Sequence, residues 1–253
     1  MFIGILYISL HKGNTNQQKL EIMGQRHQIF IKVNNPIKLK RNYVSKEENS
    51  KARKIFGNAK HTIIAIHHQW LYGRSAVYNI GHIFDVTKNM NDYNNPFSYD
   101  YSFDSLDSYI NDVMMMLQVQ TNPLHPRGTG IEKMTFLNTE CLDENGNYEN
   151  KWGDIRLDFR NGDNNDGISI VDIIERKYCL INLFSQDIDD NSVMGLPSMT
   201  PSSAESYVHC YYRNEEDLQD NIVACSPLNE YSILTMKEVS KMFPKMAFTK
   251  ELA

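Results

Sequence analysis

The sequence predicts a mainly β fold: an antiparallel β-sandwich with a few peripheral α-helices and an N-terminal arm. Two observations carry this. Short runs rich in β-branched and aromatic residues recur in both halves of the chain, several with period-two alternation. Clusters of Asn, Asp and Gly separate the later runs at hairpin-like spacing, which sets neighbouring strands antiparallel. A sandwich can use most of 253 residues, so the expected organisation is an arm over 1–25 and one domain over 26–253.

Taken in order, residues 1–10 form an apolar decapeptide without a basic leader or a small-residue cleavage site, too short to span a bilayer, and are read as a strand or partner-binding arm. A polar stretch over 12–23 suits a short helix capped by Asn14 or Asn16. Strands are expected over 28–33, over 36–40 with alternation, and over the β-branched run 62–66. Residues 88–104 are crowded with Asn, Asp and Tyr and predict a long loop. Leu106, Tyr109, Ile110, Val113, Met114 and Leu117 fall on one helical face, with Asp104 or Ser105 as cap, and the run Met114-Met115-Met116 reads as gap-filling on its buried side. Further strands are expected over 133–137, 154–159, 168–174 and 177–184, with turns at 143–146, 161–167 and Glu175-Arg176. Two short helices follow, one after Asn214 and one opening on the capping box Thr235-Met-Lys-Glu238 and stopped by Pro244.

With 41% hydrophobic and 23% charged residues the composition is that of a folded globular chain. A net charge of -5 argues against a dedicated nucleic-acid binder, which needs a basic excess to displace counterions from phosphates. Four cysteines without a CxxC pair make neither a disulfide framework nor a zinc knuckle and suit a reducing compartment.

Candidate chemistry is sparse. His61, His67, His68 and His82, with Asp85 close behind, are the one lead toward a metal-dependent hydrolase, since imidazoles and a carboxylate can hold a metal that activates water. Their spacing is against it: at about 3.3 Å per residue a strand separates His61 from His67 by roughly 20 Å. The 161–167 turn lacks a carboxylate at the first position of a calcium loop, and neither a Walker motif nor GxSxG occurs. The acids Asp187, Asp189 and Asp190 read as a solvated loop. Arg53, Lys54 and Lys60 precede the 62–66 strand and could hold a phosphate or meet neighbouring acids.

Ala52-Arg-Lys54, Asn58-Ala-Lys60, Ile64 and Ile66 resemble, at identical spacing, a short element of the cypovirus polyhedrins, the occlusion-body proteins of insect cytoplasmic polyhedrosis viruses, and further on His125-Pro126 with Thr129-Gly-Ile131 looks like a second element of that family. The 88–104 loop reads as an insertion relative to that family, and the apolar decapeptide departs from its polar start. The resemblance implies a non-enzymatic structural protein, a β-sandwich protomer with a helical arm. It implies trimers that pack into crystals around virus particles in the cytoplasm of an infected insect cell and dissolve in the alkaline gut. It implies no catalytic or metal residues and no membrane partner. No cofactor is required, though some family crystals carry nucleotides, which makes Arg53, Lys54 and Lys60 candidate subunit or nucleotide contacts.

The composition suits alkaline release. Loss of charge on 17 lysines with ionisation of 14 tyrosines and 4 cysteines would carry the net charge from -5 to -40, mostly near the ordinary Tyr and Lys values of about 10. Tyr93, Tyr99, Tyr101, Tyr211 and Tyr212 are accordingly expected as alkaline-sensitive contacts.

Overall fold

The computed structural model describes residues 26–38, 45–69, 71, 73–89, 95–98, 101, 105–118, 131–137, 167–181, 201–209 and 215–243. The expected arm over 1–25 and the strand over 154–159 lie outside these residues. Six strands form one mixed sheet: β1 (Arg26–Asn34), β2 (His61–Gln69), β3 (Ile131–Leu137), β4 (Ile168–Asp172), β5 (Lys177–Ile181) and β6 (Ser232–Ile233). They lie side by side in the order β3-β2-β1-β4-β5-β6. The helices are α1 (Lys46–Phe56), α2 (Arg74–Asn89), α3 (Leu106–Gln118), α4 (Ala204–His209), α5 (Glu215–Cys225) and α6 (Met236–Met242).

This overturns the predicted antiparallel sandwich. Helices hold about twice as many of the described residues as strands, in a single sheet. β1 pairs antiparallel with β2 but parallel with β4, and β5 pairs parallel with β6. A parallel pair needs a long crossover, and here everything from α1 to β3 lies between β1 and β4. The hairpin spacing does hold for β4 and β5, joined by the turn over 173–176, where Arg176 has φ 53. Residues 36–38 form a 3-10 turn rather than the start of a strand. Asn35 sets it, its Oδ1 accepting the Ile37 amide at 3.0 Å. The basic run that precedes the 62–66 strand is, through residue 56, the end of α1.

Alternation along the strands divides the core in two. Ile29, Ile31 and Val33 of β1, Ile64 and Ile66 of β2, Phe136 of β3 and Val171 of β4 share the first face with Phe56, Ile80, Phe84, Tyr109, Val113 and Tyr207 from the helices. Phe56 stands edge-on to Phe136 at 4.7 Å and to Tyr109 at 5.9 Å, which joins α1, α3 and β3. The second face carries Phe30, Ile63, Leu137, Ile170 and Cys179 and packs on Leu234, Val239 and Phe243. Phe243 meets Phe30 edge-on at 5.3 Å. With apolar layers on both faces β4 is buried at every residue.

Two helix starts fix what lies around the site. Ser45 caps α1 by accepting the Glu48 amide, and Glu48 in turn accepts the Leu106 amide at 3.1 Å at the head of α3. In the predicted capping box of α6, Thr235 accepts the Glu238 amide while the Glu238 carboxylate accepts the Thr235 amide at 2.8 Å.

Candidate functional site

Asn35, fully buried at the end of β1, determines where the second strand begins. Its Nδ2 is shared among the carbonyls of Phe56 (3.1 Å), Gly57 (3.3 Å) and Ala59 (2.8 Å), and its amide donates to the Lys60 carbonyl at 3.0 Å. Gly57, at φ 67, ends α1 in a left-handed conformation that a side chain would strain, and its amide closes on the Arg53 carbonyl. The chain is thereby turned sharply, and Lys60 and His61 arrive on the second face beside Lys32.

There a cavity of about 370 Å³ opens between the sheet and α6. Its apolar surface comes from Ile63 and Leu137 of the strands and from Leu234 and Met242 around α6. Its charges are Lys32, Lys60, Lys177 and Lys241 against Asp172, Glu175 and Glu238, with His61 among them. Two pairs neutralise each other. Lys32 Nζ donates to Asp172 Oδ2 at 2.6 Å, with the Asp172 side chain only 4% exposed. The other Asp172 oxygen accepts the Ile174 and Glu175 amides, each at 3.0 Å, so this carboxylate also closes the β4–β5 turn. Lys177 Nζ donates to Glu238 Oε1 at 2.6 Å. Hydrogen bonding from Lys177, then the Thr235 amide and hydroxyl, pulls the Glu238 carboxyl down to about 2. The same pairing raises Lys177. Lys60 and Lys241 are exposed and make no ion pair among the described residues. Burial lowers the affinity of His61 for a proton, and Lys32 and Lys60 lower it further against the weaker pull of Asp172 and Glu175.

Searches among known proteins add nothing to this geometry. No family model matches the chain, and no curated protein or solved structure does either.

Of the basic residues expected to touch a phosphate or a neighbouring subunit, Lys60 lines the cavity, whereas Arg53 and Lys54 are exposed on the last turn of α1. Arg53 donates to Asn58 Oδ1 at 3.0 Å. The histidines do not assemble. His61 stands at the cavity end of β2 and His67 and His68 at the other end on opposite faces, while His82 is buried on α2 and Asp85 is exposed. Among the described residues no three His, Cys, Asp or Glu side chains are grouped to hold a metal. Tyr101 donates its hydroxyl to Asp112, and burial first, then that carboxylate, raises its ionisation well above the ordinary value. Tyr93, Tyr99, Tyr211 and Tyr212 lie outside the described residues. No helix among those residues is long and apolar enough to cross a membrane.

A second polar group sits at the opposite end of the sheet. His27 and His68 are cross-strand partners, as are Gln28 and His67, and all four are buried. His27 Nε2 and Ser169 Oγ lie 2.7 Å apart in a hydrogen bond, and the Tyr207 ring meets the imidazole edge-on at 6.3 Å. A serine beside an imidazole is the beginning of a nucleophile, but both side chains are fully buried. The pair ties β1 to β4.

Lys32, Asp172, Lys177, Glu238 and Lys241 escape the sequence reading. Only Lys32, a charge within an apolar strand, and Glu238, the capping-box acid, carry a local signal.

Proposed function

We propose that this chain is a binding protein whose cavity takes a small organic anion with an apolar body. The observation that carries the reading is the imbalance left inside the cavity. After Lys32 pairs with Asp172 and Lys177 with Glu238, Lys60 and Lys241 remain beside apolar walls, with Glu175 the one lining acid outside those pairs among the described residues. Free ammonium groups at the rim attract an anion, and Ile63, Leu137, Leu234 and Met242 favour a ring or short chain over water. A volume near 370 Å³ lies toward the small end of the range for ligand sites, about 300–1,000 Å³. A mononucleotide, a phosphorylated aromatic or an aromatic carboxylate all meet these demands.

The occlusion-body role implied by the resemblance came with a β-sandwich, and the mixed sheet takes away that support. Of the second matched element only Ile131 falls among the described residues.

Calorimetric titration with AMP, phenyl phosphate and benzoate tests the reading. At least one should bind at one site per chain, more weakly as salt is raised, and the Lys60→Ala/Lys241→Ala double variant should lose about tenfold in affinity. Absence of binding by all three, or binding indifferent to both lysines, overturns it.

A further inference from the structure

Resting on that reading of the cavity, we propose that His61 is its specificity-determining residue: a neutral imidazole held as one tautomer, with the proton on Nε2, that offers an N–H to an acceptor oxygen of the ligand. The geometry distinguishes the two ring nitrogens. Nδ1 is buried and has no hydrogen-bond partner. Nε2 is not among the buried unpartnered atoms, and the His61 side chain has no hydrogen bond among the described residues, so Nε2 is the accessible nitrogen of a side chain that lines the cavity.

Three protonation states compete. With the proton on Nδ1, a buried donor is left without an acceptor, the arrangement folded proteins avoid most strictly. With protons on both nitrogens the same buried donor persists and a positive charge is added. The charged groups that bear on the ring are Lys32 from β1, Lys60 just before β2, Asp172 from β4 and Glu175 from the following turn. Asp172 is already engaged by Lys32 and by two backbone amides, which leaves it little to give a second cation. With the proton on Nε2, the buried nitrogen keeps only an unshared lone pair and the donor faces open space. This third state is the one the site stabilises.

The ligand class narrows accordingly. Lys60, Lys241 and the His61 N–H are all donors, so the complementary group is an ionised oxyanion, carboxylate or phosphate, with oxygens enough to accept from several of them. Its neutral amide would bring donors of its own to a site already full of them. His61 contributes direction, and the two lysines contribute charge.

Two measurements separate this inference from the reading it rests on. Long-range proton–nitrogen NMR of the free protein at about pH 7.5, the His61 signals assigned with His61→Gln, should show an unprotonated Nδ1 and a protonated Nε2. The opposite tautomer, or a charged ring, overturns the inference and leaves the anion cavity standing. Titration with benzoate and benzamide should then give at least tenfold tighter binding of benzoate. His61→Phe should lose about tenfold for benzoate, while His61→Gln, which keeps a donor, should stay within about threefold. Equal benzoate affinity in wild type and His61→Phe overturns the role of His61. Failure of benzoate, phenyl phosphate and AMP alike to bind wild type overturns the cavity reading itself.

Discussion

The two ends of the central sheet both carry polar side chains on strands that are otherwise apolar, and they dispose of them in opposite ways. At the His27 end the groups are side chains without an ammonium or carboxylate, sealed between layers: imidazole on serine, with histidine and glutamine facing histidines across β1 and β2. At the Lys32 end they are charged, and α6 stands off far enough to leave them a cavity. An uncharged polar group can be buried if it is hydrogen-bonded, whereas an ammonium or carboxylate must be paired and still keeps some access to water. The contrast teaches where to look for function in such a sheet. The sealed end spends its polarity on joining strands. The open end has donors left over.

Substitution at the sealed end is the strongest way to break this comparison. His27→Ala removes the bond to Ser169 and the edge-on contact with Tyr207 and leaves a void among fully buried groups. The expected loss is about 3 kcal/mol in denaturant unfolding, with anion affinity per folded molecule unchanged. A loss of affinity at unaltered stability would make the sealed end the functional one. At the open end, Asp172→Ala strips Lys32 of its partner and two turn amides of their acceptor. Because Lys32 keeps 20% of its side chain exposed, the expected cost is smaller, about 2 kcal/mol. Anion affinity should rise, since a third lysine is released beside Lys60. An unchanged affinity would show that the Lys32 charge does not reach the ligand.

Much of the local structure at both ends was legible, and the way it joins was not. The β-branched runs of β1 and β2, the helical face of α3, the β4–β5 hairpin and the capping box of α6 follow from patterns a few residues long. Two helices were within reach of the same rules. Ser45 followed by Glu47, Glu48 and Lys51 is an N-terminal signature with supporting ion pairs at 3.7 and 3.5 Å, but the neighbouring basic residues equally suit a phosphate contact. Ala76, Val77, Ile80, Ile83 and Phe84 keep helical spacing along α2. The parallel joining of β1 to β4 has no local signal, because it links residues some 140 apart. The cavity inherits that difficulty. Lys60 and His61 stood out beside the basic run, while the partners that decide their charge state come from β4 and its turn, and the wall that encloses them from α6.

Acid titration gives the smallest effect and the finest test of the comparison. His61 is held below its ordinary value of 6.5 chiefly by burial, and so is His82, where burial outweighs the Met116 backbone bond and Asp85. A histidine that resists protonation when folded leaves the unfolded chain to bind the proton first. The stability it contributes is therefore present above 6.5 and lost as pH falls toward the folded value. Glu238 follows the same sign in a lower window: its contribution is present above its ordinary 4.5 and lost as pH falls toward about 2. Thermal midpoints measured from about pH 7.5 to 3 should thus decline in two stages. His61→Gln combined with His82→Gln should flatten the first stage and leave the second, which Glu238 on the cavity wall shares with Glu230, held below its ordinary value by Tyr231 and then Lys88. If the first stage persists undiminished in the double variant, His61 is not where protonation costs stability, and the contrast between the two ends fails on this measure.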